Sequence, residues 1–309
     1  MLNLIKKYKY LLIIFSILFI TTLSICTIKV DYVSYVPGEV SEVGNVIEIN
    51  TENKSNNYYS TSVYYVDRIT LFQKLIFTNM KQAEVYKKNK AITTEIDRLQ
   101  GEIEHNSAIY TSLISAYNAA EIDLDYEFKG IYVYYAKDIN LNVGDVVLGS
   151  NYEECKNNLK NNEIKILRNN KEETITLEKK ETSQVTLEYP YYEIHNEDIL
   201  VYPSNNGGPS AGFMQALKLY DDLVSWDCNR NYKIAGTGTI DENGNVGAIG
   251  CVGLKIYTAI ENNCDIFFIP YENKEEAEET LKGIDTDMTI IYVNRLEDAI
   301  RLLKGLENE

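Results

Sequence analysis

Histidine is nearly missing from this 309-residue chain: only His105 and His195 occur. There is no H-E-x-x-H pair, which argues against a zinc hydrolase of the usual kind. Cysteine is sparse and scattered. Cys26, Cys155, Cys228, Cys251 and Cys264 form no C-x-x-C pair, so neither a disulfide framework nor a structural zinc site is expected. Basic residues are outnumbered: 30 Lys and Arg face 46 Asp and Glu, for a net charge of −16. Nonspecific binding of nucleic acid needs clustered positive charge, so no nucleic acid partner is expected. No G-x-x-x-x-G-K-[ST] phosphate loop occurs, and no ATP is expected to bind. No metal or other cofactor is implied, and no internal repeat is visible.

The chain does have a long apolar run. Lys6, Lys7 and Lys9 precede or open the uncharged stretch "YLLIIFSILFITTLSICTI", residues 10–28. At about 1.5 Å per residue it spans roughly the 30 Å hydrocarbon core of a bilayer. The lysines place the N-terminus in the cytoplasm and send the rest outside. A cleaved signal peptide would have a shorter apolar region ending in small residues. The bulky Ile25 before Cys26 fits lipoprotein processing poorly. The expectation is a single-pass cell-membrane anchor with an extracytoplasmic body.

With 45% hydrophobic residues, that body can bury a core of about two domains. Four regions are expected: a stub and anchor (1–30), a strand hairpin and helical region (31–125), a small β-rich block (126–185) and an α/β domain (186–309). Residues 45–66 read as two strands around a polar turn. From Thr70 to about Ala120 the apolar spacing is helical, with a solvated charged middle. The β-rich block runs from "FKGIYVYYAK" through "LNVGDVVLGS" and the short helix "YEECKNNLKN". It closes with a hairpin around Arg168–Lys171. After residue 186, strands and helices alternate, as in layered α/β domains.

The candidate chemistry lies in "SNNGGPSAGFM", residues 204–214. After Pro209 an amphipathic helix begins, with Phe213, Leu217, Tyr220 and Val224 on one face. Ser210 falls near its N-terminus, where unpaired N–H groups can hold an oxyanion. Gly207 and Gly208 let a peptide backbone approach closely. Alternatively, Ser210 only caps the helix. A nucleophilic serine needs a base. His195, with Asp198 as a partner, is one candidate, although the stretch around it reads as surface. Lys255 is the other, among "GAIGCVGL" and "IYTAI", where burial would lower its pKa. As a lone segment it reads rather as a lysine reaching solvent from a helix.

Taken together, "GGPSAGFMQALKLYDDL" and "IAGTGTIDENGNVGAIGCVGLKIYTAIENNCDIFFIP" resemble the proteolytic domain of the Lon family. More closely, they resemble the membrane-anchored Lon-like proteases of Gram-positive bacteria that carry a PDZ domain and no ATPase module. The resemblance covers most of the C-terminal third. It implies an α/β (α+β) Lon-type domain, a small PDZ-like β-rich domain and one N-terminal transmembrane helix. By it, Ser210 matches the catalytic serine of P-S-A-G, Lys255 the catalytic lysine, and Thr237 a threonine supporting that lysine. The implied oxyanion donors are the backbone of Ser210 and Ala211. "GIYV" (Gly130, Ile131, Tyr132 and Val133) lines up with the PDZ carboxylate-binding loop and its following strand, which binds peptides by strand addition. The chain departs from the family at Cys251, where a glycine is usual. The strands of 45–66 are expected to complete the proteolytic sheet, leaving the β-rich block as an insertion.

The resulting expectation is an ATP-independent, anchored serine endopeptidase with a Ser–Lys dyad, acting on peptides or exposed protein segments outside the cytoplasm. Whether it forms a homo-oligomer stays open. The rival is a noncatalytic membrane adaptor whose PDZ-like block binds peptides beside an inactive Lon-like domain.

Overall fold

The computed structural model describes residues 8–51, 55–89, 93–204, 206–225 and 232–306. Lys6, Lys7, Cys228, Asn205 and parts of the polar turn after Ile49 and of the charged stretch before Thr93 lie outside them. In chain order the first elements are α1 (Lys9–Thr27), β1 (Tyr32–Glu42), β2 (Ile47–Ile49), β3 (Tyr58–Val66), α2 (Leu71–Phe77), β4 (Glu84–Lys87) and α3 (Thr94–Ala119). A β-rich run follows: β5 (Tyr126–Lys137), β6 (Val146–Leu148), α4 (Tyr152–Asn158), β7 (Glu163–Arg168), β8 (Lys171–Thr176), β9 (Gln184–Ile194) and β10 (Ile199–Val201). The last elements are α5 (Gly212–Val224), β11 (Ile234–Gly236), β12 (Thr239–Ile240), β13 (Val246–Gly247), α6 (Val252–Glu261), β14 (Ile266–Pro270), α7 (Lys274–Leu281), β15 (Thr289–Val293) and α8 (Leu296–Leu306).

Among the described residues, α1 is the one helix long and apolar enough to cross a membrane, and none of it is buried. The main sheet has six strands in the order β15-β14-β11-β3-β1-β4. Its β3, β11, β14 and β15 run parallel, while β1 and β4 are antiparallel additions. The central strands are covered on both faces, which is why "IFFIP" of β14 is continuously apolar. Ile266 and Phe268 pack toward α3, α5 and α8, with Leu113, Phe213, Leu217 and Leu303. Phe267 and Ile269 point the other way, into a cluster with Val252 and Ile256 of α6 and Ala277 of α7. The mixed α/β layering agrees with the expected class.

Two expectations about the N-terminal region are corrected. The strands in 45–66 are not a hairpin: β2 pairs with β10, and β3 pairs with β1 and β11. Residues 70–120 are not continuously helical, because β4 intervenes and pairs with β1. On α5, Phe213, Leu217 and Tyr220 are buried, but Val224 at the last turn is 39% exposed.

The second sheet is antiparallel, in the order β8-β7-β6-β5-β9. Cys155 of α4 is buried against Ile131, Val133, Val147 and Ile166. Its β7–β8 hairpin turns at Asn169 and Asn170, both with positive φ (51° and 60°), with Arg168 opposite Lys171. Two left-handed asparagines make the tight turn whose twist suits adjoining strands.

This sheet corrects the expectation for "GIYV". Gly130–Val133 lie in β5, which is flanked on both sides. Gly130 faces Leu148 of β6 and Tyr191 of β9, and Ile131 faces Val147 and Pro190. Strand addition needs an open edge, and β5 has none there. Ile131 and Val133 are fully buried core residues. The edges of this sheet are β8 and β9.

Candidate active site

Ser210 sits in the turn that enters α5. Its side chain does not cap the helix: Ala211 occupies the N-cap position and no side chain bonds there. The turn is held from two sides. On one, the Gly208 N–H donates to the Gly101 carbonyl of α3 (2.9 Å). Gly207 packs so closely on Gly101 that a Cβ on either would lie 3.4 Å from the other's Cα. Both glycines therefore serve first to seat the loop on α3. Gly212 is similarly constrained, since a Cβ there would lie 3.1 Å from Ile240 and 3.4 Å from Ala108.

On the other side, the segment linking β11 to β12 grips the serine's own backbone. The Gly238 N–H donates to the Ser210 carbonyl (2.8 Å), and Thr237 Oγ1 donates to the same oxygen (3.1 Å). The N–H groups of Ser210 and Ala211 donate no hydrogen bond among the described residues. They are half-buried at a helix start, where the dipole favours negative charge.

Lys255 arrives from α6, its side chain 4% exposed. Nζ lies 2.6 Å from Ser210 Oγ and 3.1 Å from Thr237 Oγ1. Thr237 is fully buried, so it fixes the amine and the serine backbone at once. No acidic group among the described residues forms an ion pair with Lys255. Burial lowers its pKa to about 8, because desolvation penalises the charged amine. A neutral amine has a lone pair facing a hydroxyl at bonding distance, which is the arrangement a general base requires.

The turn delivering Lys255 is strained. Cys251, the N-cap of α6, has φ 58° and ψ 33°, in the left-handed region. Its thiol donates to Glu84 Oε2 of β4 (3.5 Å). Burial, with the Glu84 charge, pushes the thiol up to about 12, so Cys251 stays protonated and is not a nucleophile. Cys251→Val is apolar and slightly larger and puts a β-branched residue at positive φ. It is expected to cost about 2 kcal/mol in chemical denaturation, whereas Cys251→Gly is tolerated.

His195 lies elsewhere. It is exposed at the end of β9, its ring nitrogen grouped with Glu127 and Glu193 within 4.8 Å. Lys129 already bridges both carboxylates (2.7 and 3.2 Å). Asp198 sits in a turn held by Asn196, with its carbonyl accepting from the Asn50 N–H. Among the described residues, no hydrogen bond joins either to Ser210. Sequence reasoning missed Gly101, Gly238 and Glu84 as supports of the site. A glycine inside a helical pattern was the available signal for Gly101; Glu84 carried none.

Two separate segments, 45 residues apart, thus bring a buried amine against a half-buried hydroxyl. Residues 159–304 match the Lon protease (S16) C-terminal proteolytic domain. The C-terminal half of the chain is similar to that domain. Among curated proteins, the Lon protease of Buchnera aphidicola subsp. Schizaphis graminum (strain Sg) is 30% identical over 138 residues, 43% of this chain. The Lon protease of Buchnera aphidicola subsp. Acyrthosiphon pisum (strain APS) is 26% identical over 132 residues, 41% of this chain. The aligned regions are 17% and 16% of those proteins, so the chain spans a small part of their length. The Lon-like segment includes both Ser210 and Lys255, and it begins inside the five-stranded sheet, before β7.

Proposed function

We propose that this protein is an ATP-independent serine endopeptidase, anchored by α1, with Ser210 and Lys255 as its dyad and its body outside the cytoplasm. The contact that supports this most is Lys255 Nζ at 2.6 Å from Ser210 Oγ, with the lysine desolvated and without a counter-ion among the described residues. Lys255 takes the Ser210 proton as Oγ attacks a peptide carbonyl. The N–H groups of Ser210 and Ala211 receive the oxyanion. Lys255 then gives its proton to the leaving amine, and water, activated by the same lysine, hydrolyses the acyl ester. Thr237 holds Lys255 on line without touching substrate. Gly207 and Gly208 leave the backbone beside Ser210 open to an extended peptide.

The five-stranded sheet is proposed as a PDZ-like presenting module, with β8 or β9 as the receiving edge in place of Gly130–Val133. The substrates are peptides or exposed protein segments near the membrane. The runner-up, a noncatalytic adaptor, is disfavoured by the amine–hydroxyl contact, which a binding module does not need. Purified full-length protein in detergent, given a peptide mixture, separates the readings by mass spectrometry. Ser210→Ala should abolish cleavage and His195→Ala should leave it unchanged. Cleavage that persists in Ser210→Ala would overturn the dyad, and a wild type that cuts nothing would favour the adaptor.

A further inference from the structure

Helix α2 is amphipathic in the wrong direction for a soluble protein. Gln73, Lys74 and Phe77 are half-buried on its inward side. Lys74 Nζ lies 3.4 Å from the centroid of the Tyr32 ring, and Gln73 closes a capping box with Thr70. Its apolar side faces out. Leu71, Phe72, Leu75 and Ile76 are all exposed, as is Met80 in the turn that follows, and Leu75 reaches 65%. Their spacing of one and four puts the four helical residues on one side. A globular protein turns such a stripe toward its core, and an exposed apolar stripe marks a contact surface.

The chain itself identifies the occupant. The Leu71 N–H donates to the Ile28 carbonyl (3.1 Å), and the Val30 N–H to the Ile69 carbonyl (2.9 Å). Lys29 and Thr70 form a β-bridge. Helix α2 therefore begins where α1 ends. The 19 residues of α1 rise about 28 Å, close to the roughly 30 Å hydrocarbon core, so the start of α2 lies at the headgroup boundary. Ile28 is also exposed, making the apolar surface continuous from one helix to the other. Lys29 and Lys81, both exposed, stand at its margins as partners for lipid phosphates.

We infer that α2 lies in the interfacial layer of the membrane that α1 crosses, with Leu71, Phe72, Leu75, Ile76 and Met80 in the upper acyl region. The inference rests on α1 as an anchor. Amphipathic helices bind membranes in this way, in the plane of the interface. The body then does not swing on a stalk. Only residues 28–31 separate the span from β1, and α2 adds a second contact that fixes the height and tilt of the sheet. The substrate must come to the membrane surface.

The test uses full-length protein in phosphatidylcholine–phosphatidylglycerol vesicles, with the single native tryptophan removed by Trp226→Phe. Leu75→Trp and Ile17→Trp are introduced separately as reporters, and quenching by lipids brominated at defined acyl depths is read. Both reporters should be quenched, Leu75→Trp most by shallow bromines and with a blue-shifted emission. Quenching of Ile17→Trp without quenching of Leu75→Trp would overturn the inference and leave the anchor standing. A blue-shifted but unquenched Leu75→Trp would also overturn it, showing that protein, including a second copy of this chain, covers α2. If Ile17→Trp is not quenched either, the anchor reading falls and takes this inference with it.

Discussion

Lys255→Met is expected to lower peptide cleavage on the order of 10⁴-fold or more while raising the melting temperature near neutral pH. The two effects have one cause. The lysine is buried with no counter-ion among the described residues, and its pKa falls to about 8 from an ordinary 10.5. The unfolded chain therefore binds a proton that the folded protein holds less tightly. Below pH 8 both states are protonated and the folded state carries the whole penalty, about 3 kcal/mol. Between pH 8 and 10.5 the unfolded state binds more protons, so stability rises with pH and the penalty disappears. Methionine has similar length and no charge to desolvate. The gain in stability from Lys255→Met should thus be largest at and below pH 7 and shrink toward pH 10.5, as read by thermal unfolding across that range. A substitution that lost activity and stability together at neutral pH would mean that Lys255 is a structural cation instead.

The same shift sets the pH profile of the wild type. The base is the neutral amine, so kcat/KM should rise with pH through about 8 and level off above it. A profile flat from pH 6 to 10 would remove Lys255 from the base role. Thr237 acts through the lysine. Thr237→Val should lower the rate and move the midpoint of the profile, because it removes the hydroxyl that accepts from the amine and holds it toward Ser210.

Local periodicity revealed the elements that carry the site, but not all of their partners. Helices α5 and α6 each have an apolar face at helical spacing, and the Asn169–Asn170 turn is explicit in its residues. Their sequence signals need no distant partner. The hairpin reading of 45–66 failed because Ile47 and Ile49 bury one face of β2 against any strand of matching alternation. The strand that wins is β10, about 150 positions on. Strand β4 was hidden within a helical pattern: its four residues are too short to outweigh Leu71, Leu75, Ile76 and Met80. Their helical spacing does not say which way they face, and the structure shows them turned outward. For β5, the "GIYV" pattern is compatible with an edge or an interior strand. Pairing on both sides, not composition, decides between them.

Asp222→Ala should be the most damaging single change away from the dyad, costing about 3–5 kcal/mol in equilibrium unfolding. Asp222 and Lys218 form an ion pair one turn apart on α5, with side chains 0% and 1% exposed. The Ser55 N–H and hydroxyl also donate to Asp222 Oδ1 (3.1 and 3.2 Å). Ser55 belongs to the segment entering β3, so one carboxylate joins the N-terminal strands to the helix that begins beside Ser210. Removing it leaves the Lys218 ammonium buried without this counter-ion and frees two donors. The double change Lys218→Met with Asp222→Leu should recover most of the loss, because two apolar side chains carry no desolvation penalty. Ser55→Ala alone should cost about 1.5–2 kcal/mol, the lower part of the range for a hydrogen bond to a charged group, because the Ser55 N–H bond is kept. If Asp222→Ala unfolds no more easily than Ser55→Ala, the pair is not sealed from water. If the double change is as unstable as the single one, the loss comes from packing and not from a stranded charge. The activity of the folded fraction should be nearly unchanged throughout, since Ser210 is held by Gly101, Thr237 and Gly238 at the opposite end of α5 from this pair.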